Sequence, residues 1–326
     1  MTIAATTIDP TKGPKVNVAL IQIQAGKEGG KQDQIKRMRE LVVQAVKEGN
    51  DKSEPVHLIV LPEMWNGSTV SVPPATYCLA DLQLHDELLA NAEPVPEPGQ
   101  APSEWSPKSE TIRALADAAI ESKVWIIGGS VPEQGTDRLY NTATVYSPEG
   151  ELIAKYRKTH LFDLCLPKMT YKESDTFAPG DHLTTFDTPF GRFGLAICYD
   201  LRFAEIAILA SRKGCTAVFY PAAFNTHTGP LHWELLQRGR ALDNQIYIAT
   251  CSCARDEAAK YVIYGHSMAV SPMGKVIATA ETEEKIVYAT FDPQHIADTR
   301  AGIPLLTQRR FDLYPDILAV SEGKAQ

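Results

Sequence analysis

The segment FGLAICYDLRF, residues 193–203, contains the change of pattern that decides the fold. Its first five residues form an apolar run of the kind found in buried strands. The residues from Tyr199 to Phe203 lead into a helical pattern. Cys198 stands between the two, so we expect this thiol at a strand-to-helix turn, where backbone N–H groups without intrahelical partners stabilise a thiolate or an oxyanion. A buried structural cysteine remains the alternative for this residue taken alone.

The same alternation of short strands and helices extends over most of the chain. Strands are predicted at 16–23, 57–61, 124–127, 217–220, 246–250 and 286–291, and helices at 31–47, 108–123, 203–213 and 233–242. Hairpins are predicted at 139–146/152–157, 185–187/193–198 and 266–271/276–279. We therefore predict an α/β fold with mixed sheets, in which layers of helices cover sheet packed on sheet.

Length and composition restrict the function classes. The 326 residues carry 40 acidic and 32 basic side chains, a formal net charge of −8, which argues against a nucleic-acid partner and against a polybasic membrane anchor. The apolar runs are too short to span a bilayer, and the N-terminus has no signal-like apolar region. The six cysteines follow no framework spacing, so we expect reduced thiols and a cytoplasmic location.

One domain accounts for nearly the whole chain. We predict a flexible N-terminal arm over 1–14, a single domain over 15–318 and a C-terminal tail over 319–326. A Pro-rich insertion loop over 68–107 interrupts the regular elements. A loop of this length is either a solvent-exposed excursion or a lid or substrate loop.

Two carboxylates and a lysine follow predicted strands or lie close to them. Glu63 comes soon after the strand at 57–61, where α/β sites collect, although a helix cap or a rim ion pair explains it equally well. Lys158 directly follows the strand at 152–157, in a basic run that is usually solvated. Glu173 looks like a surface acid. No zinc, phosphate-loop or dinucleotide motif is present, and Cys251 and Cys253 are expected to be core thiols, so no metal is predicted.

Three extended motifs together resemble the nitrilase superfamily of carbon–nitrogen hydrolases. They are L-P-E at 61–63, Y-R-K-x-H-L-F at 156–162 and G-x-x-I-C-Y-D-x-R-F at 194–203, in the order of that family. The runs at 220–225, 229–238, 241–245 and 264–267 are most similar to its ω-amidase (Nit-two-like) branch, and the resemblance extends from about residue 16 to 314. It implies a four-layer α-β-β-α sandwich, often dimeric through the helix after the nucleophile, and hence a homodimer.

The resemblance also implies roles for the site residues. Cys198 corresponds to the nucleophile, Glu63 to the general base, and Lys158 with the backbone N–H of Tyr199 to the oxyanion donors. Glu173 matches a second glutamate, to which we assign an orienting role. These steps need no cofactor. The branch removes the side-chain amide of 2-oxoglutaramate and 2-oxosuccinamate, so a small-molecule amide is the expected partner.

Substrate-binding residues are less well defined by the sequence. Arg202 is a candidate for a substrate carboxylate, or else forms a structural ion pair with Asp200 or Glu205. Phe224 and Asn225 line the pocket or simply form a turn. The chain departs from the branch in the Pro-rich loop and between 160 and 173, where substrate walls lie. Deaminated glutathione, an N-carbamoyl amine or a nitrile therefore remain alternative substrates, and a catalytically silent scaffold is the alternative from another class.

Overall fold

A computed structural model describes residues 9–25, 30–67, 88–166, 169–259 and 261–313. The first eight residues of the predicted arm, residues 68–87 of the predicted insertion loop and the predicted tail over 319–326 lie outside this range. The extent of the domain therefore stays a prediction at both ends. None of the helices within the described ranges is long and apolar enough to cross a bilayer.

The strands are numbered in chain order. They are β1 (Val16–Gln22), β2 (Leu58–Val60), β3 (Trp125–Gln134), β4 (Leu139–Tyr146), β5 (Leu152–Arg157), β6 (Asp163–Leu166), β7 (Met169–Lys172), β8 (Thr184–Thr188), β9 (Gly191–Leu195), β10 (Cys215–Ala222), β11 (Tyr247–Ser252), β12 (Met268–Val270), β13 (Val276–Thr279) and β14 (Lys285–Phe291). The helices are α1 (Gly30–Asp51), α2 (Glu110–Ser122), α3 (Ala204–Arg212), α4 (Gly229–Asn244), α5 (Pro293–Gly302) and α6 (Leu305–Gln308). Short 3₁₀ turns cover Pro102–Glu104, Glu173–Asp175, Cys198–Arg202 and Phe311–Leu313.

Two six-stranded sheets share one pattern. The first has the order β14-β1-β2-β3-β4-β5 and the second β13-β12-β11-β10-β9-β8. In each sheet three parallel strands are flanked by antiparallel ones, namely β1-β2-β3 in the first and β9-β10-β11 in the second. Because β5 is antiparallel to β4 and β4 to β3, β5 runs in the same direction as the parallel strands. The carboxyl ends of β2 and β5 therefore lie at the same edge.

The two faces of β1 show how the layers are stacked. Val18 and Leu20 belong to the core between the two sheets, together with Val218 and Ile248 of the second sheet. Residues of opposite parity, such as Ile21, pack under α1 and α2. Successive residues of a strand point to opposite faces, so this alternation buries β1 on both sides. Helices α3 and α4 cover the second sheet through β10 and β11. The result is the predicted four-layer α-β-β-α sandwich.

Most predicted elements are present, but the ends of two predicted strands are wrong, and some elements were not predicted. The strand predicted at 193–198 ends at Leu195, and Cys198 begins a five-residue 3₁₀ turn. The strand predicted to end at 127 continues to Gln134 past an irregularity between Ile127 and Ser130. There Gly129 has φ +69°, and a Cβ would lie 2.1 Å from the Pro62 carbonyl oxygen, so this glycine permits a close approach. The hairpin β6–β7 and helix α5 were not predicted.

The described part of the insertion loop, residues 88–107, packs against the domain. Leu88, Val95 and Trp105 are buried. The buried Glu93 accepts a hydrogen bond from the Thr111 backbone N–H at 2.9 Å and pairs with Lys31 at 3.2 Å. These residues anchor the stretch to the domain, whereas residues 97–104 are exposed to solvent. Whether the loop as a whole is a lid depends on residues 68–87 and stays open.

Candidate active site

Three of the predicted catalytic residues follow strands, and the carboxyl ends of these strands bring them to one place. Glu63 follows β2, Lys158 follows β5 and Cys198 follows β9, and the carboxyl ends of such strands collect at one edge of each sheet. Glu173 begins the 3₁₀ turn after β7. All four side chains are buried, with 2–8% exposure. The surface positions considered for Lys158 and Glu173 are therefore wrong.

Lys158 is the centre of a buried ionic cluster. Its Nζ donates to Glu63 Oε1 at 3.0 Å and lies 2.8 Å from Glu173 Oε2. Asn141 Nδ2 donates to the same two carboxylates, to Glu63 Oε1 at 2.8 Å and to Glu173 Oε1 at 3.2 Å. The Phe162 backbone N–H donates to Glu173 Oε2 at 2.6 Å. Because the three charges are paired with one another, they can be buried together. Any one of them buried alone would strongly destabilise the protein.

Burial changes the proton affinities in this cluster. Desolvation raises the pKa of Glu63, the negative Glu173 raises it further, and the Lys158 ammonium opposes both. Desolvation alone would lower the pKa of Lys158, but the carboxylates of Glu173 and Glu63 outweigh it and hold this pKa well above its usual value. Lys158 is therefore a permanent cation, and Glu63 is a carboxylate with increased basicity.

The Cys198 thiol lies beside this cluster. It is within hydrogen-bonding reach of Glu63, and the Ala223 backbone N–H points at its Sγ from 3.4 Å. Burial and the nearby negative Glu63 hold the pKa of Cys198 well above its usual value. Burial therefore opposes the stabilisation of a thiolate that we expected from the turn, and it favours the protonated thiol in the resting protein. Cys198 has φ +44°, a conformation seldom adopted by residues other than glycine and often found at functional sites.

A pocket opens over these groups. Apart from the charged cluster and Asn141 its walls are largely aromatic. The remaining lining residues are Met64, Phe162, Tyr171, Phe177, Tyr199, Arg202, Ala223, Phe224, Asn225, Thr228 and Tyr261. An apolar lining with a few polar groups converging on one thiol is typical of a site for a small organic molecule.

Comparison with known proteins agrees with this geometry. Residues 17–301 match the family model described as carbon-nitrogen hydrolase. The chain belongs to the carbon–nitrogen hydrolase family. It is 44% identical to the omega-amidase NIT2 of Mus musculus over 298 residues, 91% of this chain and 96% of that protein. It is 41% identical to the omega-amidase NIT3 of Saccharomyces cerevisiae over 308 residues, 94% of this chain and 97% of that protein.

A solved structure supports the same assignment. The crystal structure of Saccharomyces cerevisiae Nit3, described as a member of branch 10 of the nitrilase superfamily, matches with a TM-score of 0.76 and 39% identity. The match covers 91% of this chain and 97% of that one. The nitrilase-type fold and the superfamily inferred from the three motifs are thereby confirmed.

In this carbon–nitrogen hydrolase the turn that carries Cys198 is fixed by Asp200. Its carboxylate is fully buried and accepts hydrogen bonds from the Ile197 backbone N–H at 2.9 Å and from Tyr156 Oη at 2.8 Å. It also contacts His160 Nδ1 at 2.8 Å. Asp200 thus ties the turn of Cys198 to the end of β5, close to Lys158. This role was not found from the sequence, where Asp200 was considered only as a partner for Arg202.

Arg202 reaches the pocket from the same 3₁₀ turn. Its guanidinium lies over the Tyr199 and Phe224 rings, 5.4 and 4.8 Å from their centroids, and its Nη1 is 3.0 Å from His232 Nδ1. Burial, and then the neighbouring Arg202 charge, lower the pKa of His232, so this imidazole is a neutral acceptor. Within the described residues no ion pair joins Arg202 to Asp200 or Glu205, so the structural ion pair considered for it is not formed.

Asn225 stabilises the turn that precedes α4. Its Oδ1 accepts from the Thr228 backbone N–H at 2.8 Å and from the Thr228 hydroxyl at 3.0 Å. This is the turn chemistry considered from the sequence, and the side chain also lines the pocket. Phe224 packs edge-on against Trp233, which fixes the pocket wall to α4. A contact of either residue with substrate stays a prediction.

Sequence reasoning missed Asn141, Tyr171 and Tyr261. Asn141 lies in β4, which runs opposite to β5, so its early residues reach the edge where Lys158 lies. A polar residue inside a buried strand was the available signal.

Among the residues that the structure describes, no group of three or more His, Cys, Asp and Glu side chains is arranged to hold a metal ion.

Proposed function

We propose that this protein is an ω-amidase that hydrolyses the side-chain amide of small 2-oxo dicarboxylic acid monoamides through a cysteine thioester. The observation that supports amide hydrolysis best is the contact of one buried thiol with one buried carboxylate of raised pKa, itself paired to a buried ammonium. This set contains a nucleophile, a proton shuttle and an oxyanion donor. The omega-amidase names of the mouse and yeast relatives agree with it.

Acylation begins with the proton of Cys198. Glu63 removes this proton as Sγ forms a bond to the amide carbon, and the carbonyl π electrons move to the oxygen. Lys158 Nζ and the Tyr199 backbone N–H stabilise the resulting oxyanion. Glu63 then gives its proton to the amide nitrogen, the C–N bond breaks, and ammonia leaves a thioester on Cys198.

Deacylation repeats the sequence with water. Glu63 takes a proton from a water molecule whose oxygen attacks the thioester carbon. The C–S bond breaks, the proton returns to Sγ, and the carboxylic acid leaves. Glu173 keeps Lys158 in place during both steps, because its carboxylate accepts from the ammonium and from the Phe162 N–H. The sum is amide plus water to acid plus ammonia.

Arg202 is the basis for the substrate class. It is a cation in the pocket whose guanidinium contacts, among the described residues, are two aromatic rings and a neutral imidazole. A carboxylate at the far end of the substrate would supply the missing counter-charge and accept two parallel hydrogen bonds. Phe224 and Asn225 would form the wall beside it.

The test is ammonia release from 2-oxoglutaramate by the wild type, by Cys198→Ala and by the control Cys215→Ala. Cys215 is a buried core thiol in β10, so its variant reports on the loss of a buried cysteine alone. We expect activity in the wild type and the control and none in Cys198→Ala. Equal activity of all three would refute the assigned nucleophile, and inactivity of the wild type would refute the substrate.

A substrate panel separates the alternatives from the proposal. Deaminated glutathione, an N-carbamoyl amine and a nitrile are compared with 2-oxoglutaramate at matched concentrations. The highest kcat/KM for one of them would replace the proposed substrate but keep the chemistry. A wild type inactive on the whole panel would support the silent scaffold.

A homodimer and a cytoplasmic location complete the proposal. Leu209 on α3 and Leu231 and Leu235 on α4 are 42%, 65% and 69% exposed, so the helices after the nucleophile present an apolar surface to a second copy. Light scattering at micromolar concentration tests this, and a monomer mass would contradict it. Fluorescence microscopy of the tagged chain tests the location.

A further inference from the structure

Asn141 is a buried amide between the two carboxylates of the cluster. It is 1% exposed and lines the pocket beside Lys158. Its Nδ2 donates to Glu63 Oε1 at 2.8 Å and to Glu173 Oε1 at 3.2 Å.

The charges around Asn141 determine which way its amide faces. Ionised carboxylates only accept hydrogen bonds, so the end of the amide that meets Glu63 and Glu173 must be the NH₂ group. The oxygen is left as the free end. Within the described residues Asn141 Oδ1 is buried and has no hydrogen-bond partner. A buried acceptor without a donor is unfavourable and rare, and it is satisfied when a ligand brings an N–H group.

No described group donates a hydrogen bond to this oxygen. The Cys198 thiol is directed at Glu63, the Lys158 ammonium contacts both carboxylates, and Glu63 and Glu173 are acceptors. The reacting carboxamide has N–H groups at the nitrogen that Glu63 protonates, and Glu63 is the direct neighbour of Asn141. A primary amide therefore carries the kind of donor that Asn141 Oδ1 lacks.

We propose that Asn141 Oδ1 accepts a hydrogen bond from the carboxamide N–H of the substrate and holds the leaving nitrogen next to Glu63. This rests on the proposed amidase function and adds to it a reason for preferring amides to esters. An ester of the same acid has no N–H at its leaving group, leaves Asn141 Oδ1 unpaired and gains nothing from it. Sites built to bind a substrate N–H discriminate strongly against analogues without one.

The experiment compares 2-oxoglutaramate with the ω-methyl ester of 2-oxoglutarate. The kcat/KM of each is measured for the wild type, Asn141→Ala, Asn141→Asp and the control Thr142→Val. The parameter kcat/KM reports acylation, the step in which the C–N or C–O bond breaks. Thr142 is the next residue of β4, is buried, and donates to Glu133 rather than to the cluster.

Asn141→Ala should lower kcat/KM for the amide about 10- to 100-fold more than for the ester. Asn141→Asp keeps an acceptor oxygen but adds a charge, so both activities should fall while their ratio stays near that of the wild type. Thr142→Val should leave the ratio unchanged. A purely structural role would lower both activities by the same factor in Asn141→Ala, and that result would overturn the proposal.

The Asp variant keeps the test decisive if the Ala variant does not fold. In Asn141→Asp, a fall in the ratio of kcat/KM for the amide to kcat/KM for the ester would then count against the proposal, because this variant keeps an acceptor oxygen. If the wild type is inactive on 2-oxoglutaramate, the proposed substrate is refuted. The role of Asn141 is then tested by the same comparison with propionamide and methyl propionate. Inactivity on all four compounds would refute both proposals.

Discussion

Replacing Lys158 with Met removes the only cation within contact of Glu63 and Glu173 among the described residues. The change keeps the length of the buried side chain but leaves two carboxylates facing each other in a dry environment. Breaking a buried ion pair by removing one partner destabilises a protein by about 3–5 kcal/mol. For a domain of this size, that corresponds to a decrease of about 5–8 °C in Tm.

The decrease should depend on pH in a defined direction. Without the ammonium, burial and the repulsion from Glu173 raise the pKa of Glu63 further above its unfolded value than in the wild type, where Lys158 opposes the increase. A group whose folded pKa is raised contributes stability below its unfolded pKa and loses it as pH rises through the folded pKa. The Tm difference between wild type and Lys158→Met should therefore be small near pH 5 and grow towards pH 8.

Differential scanning fluorimetry between pH 5 and 9 measures this, with Lys155→Met as the control. Lys155 lies on β5 and pairs with Glu133 and Glu97, outside the pocket. The kcat/KM of Lys158→Met should also fall about 100- to 1000-fold or more, because an oxyanion donor is lost. A Tm difference that is constant with pH, or largest in acid, would refute the reasoning that Lys158 compensates two buried carboxylates.

Three further predictions concern single residues of the pocket. Because burial raises the pKa of Glu63 and the base must be ionised, kcat/KM should fall on the acid side with an apparent pKa above the usual glutamate value of about 4.3. A pH profile of kcat/KM from pH 4 to 9 measures this, and an acidic apparent pKa at or below that value would contradict it. Arg202→Met should raise KM for 2-oxoglutaramate about 10- to 100-fold and leave kcat/KM for propionamide unchanged, since only the first substrate carries a carboxylate. If steady-state kinetics show an equal loss of kcat/KM for both substrates, the carboxylate contact is excluded. Chloroacetamide at neutral pH should alkylate Cys198 faster than the fully buried Cys251, and Glu63→Gln should slow the alkylation of Cys198. Peptide mass spectrometry measures both rates, and equal rates for the two cysteines would rule out activation by Glu63.

The sequence was sufficient for residues that follow regular strands. Leu58–Val60 and Leu152–Arg157 have clear strand patterns, and the direction of each strand places Glu63 and Lys158 at the same edge. Parallel strands of an α/β protein constrain the positions of the residues that follow them. We expected Glu63, Lys158 and Cys198 to converge because of the three family motifs, and the strand directions explain how they do.

The residues that were misjudged lie where local pattern is weak. Glu173 follows β6–β7, a hairpin of four-residue strands with mixed polarity, so the burial of this acid could not be predicted from local sequence. Gly128 and Gly129 suggested the end of a strand because glycine usually weakens one. In the structure, Gly129 instead permits the close approach of the Pro62 carbonyl, directly before Glu63. Such contacts join residues 67 positions apart and cannot be read from a window of local sequence.

The protonation of the resting Cys198 thiol depends on its turn and on its burial. The backbone N–H groups of a helix N-terminus would favour a thiolate, but the turn after Ile197 is a five-residue 3₁₀ segment, and burial raises the pKa of the thiol. Thiolates are also the forms that oxidants and stray electrophiles attack, so a neutral thiol is protected until it is needed. Burial raises the pKa of Glu63 as well, which makes its carboxylate a stronger base than in water. In the proposed mechanism, proton transfer to Glu63 is therefore coupled to the formation of the bond between the sulfur and the amide carbon, while Lys158 remains charged to stabilise the oxygen.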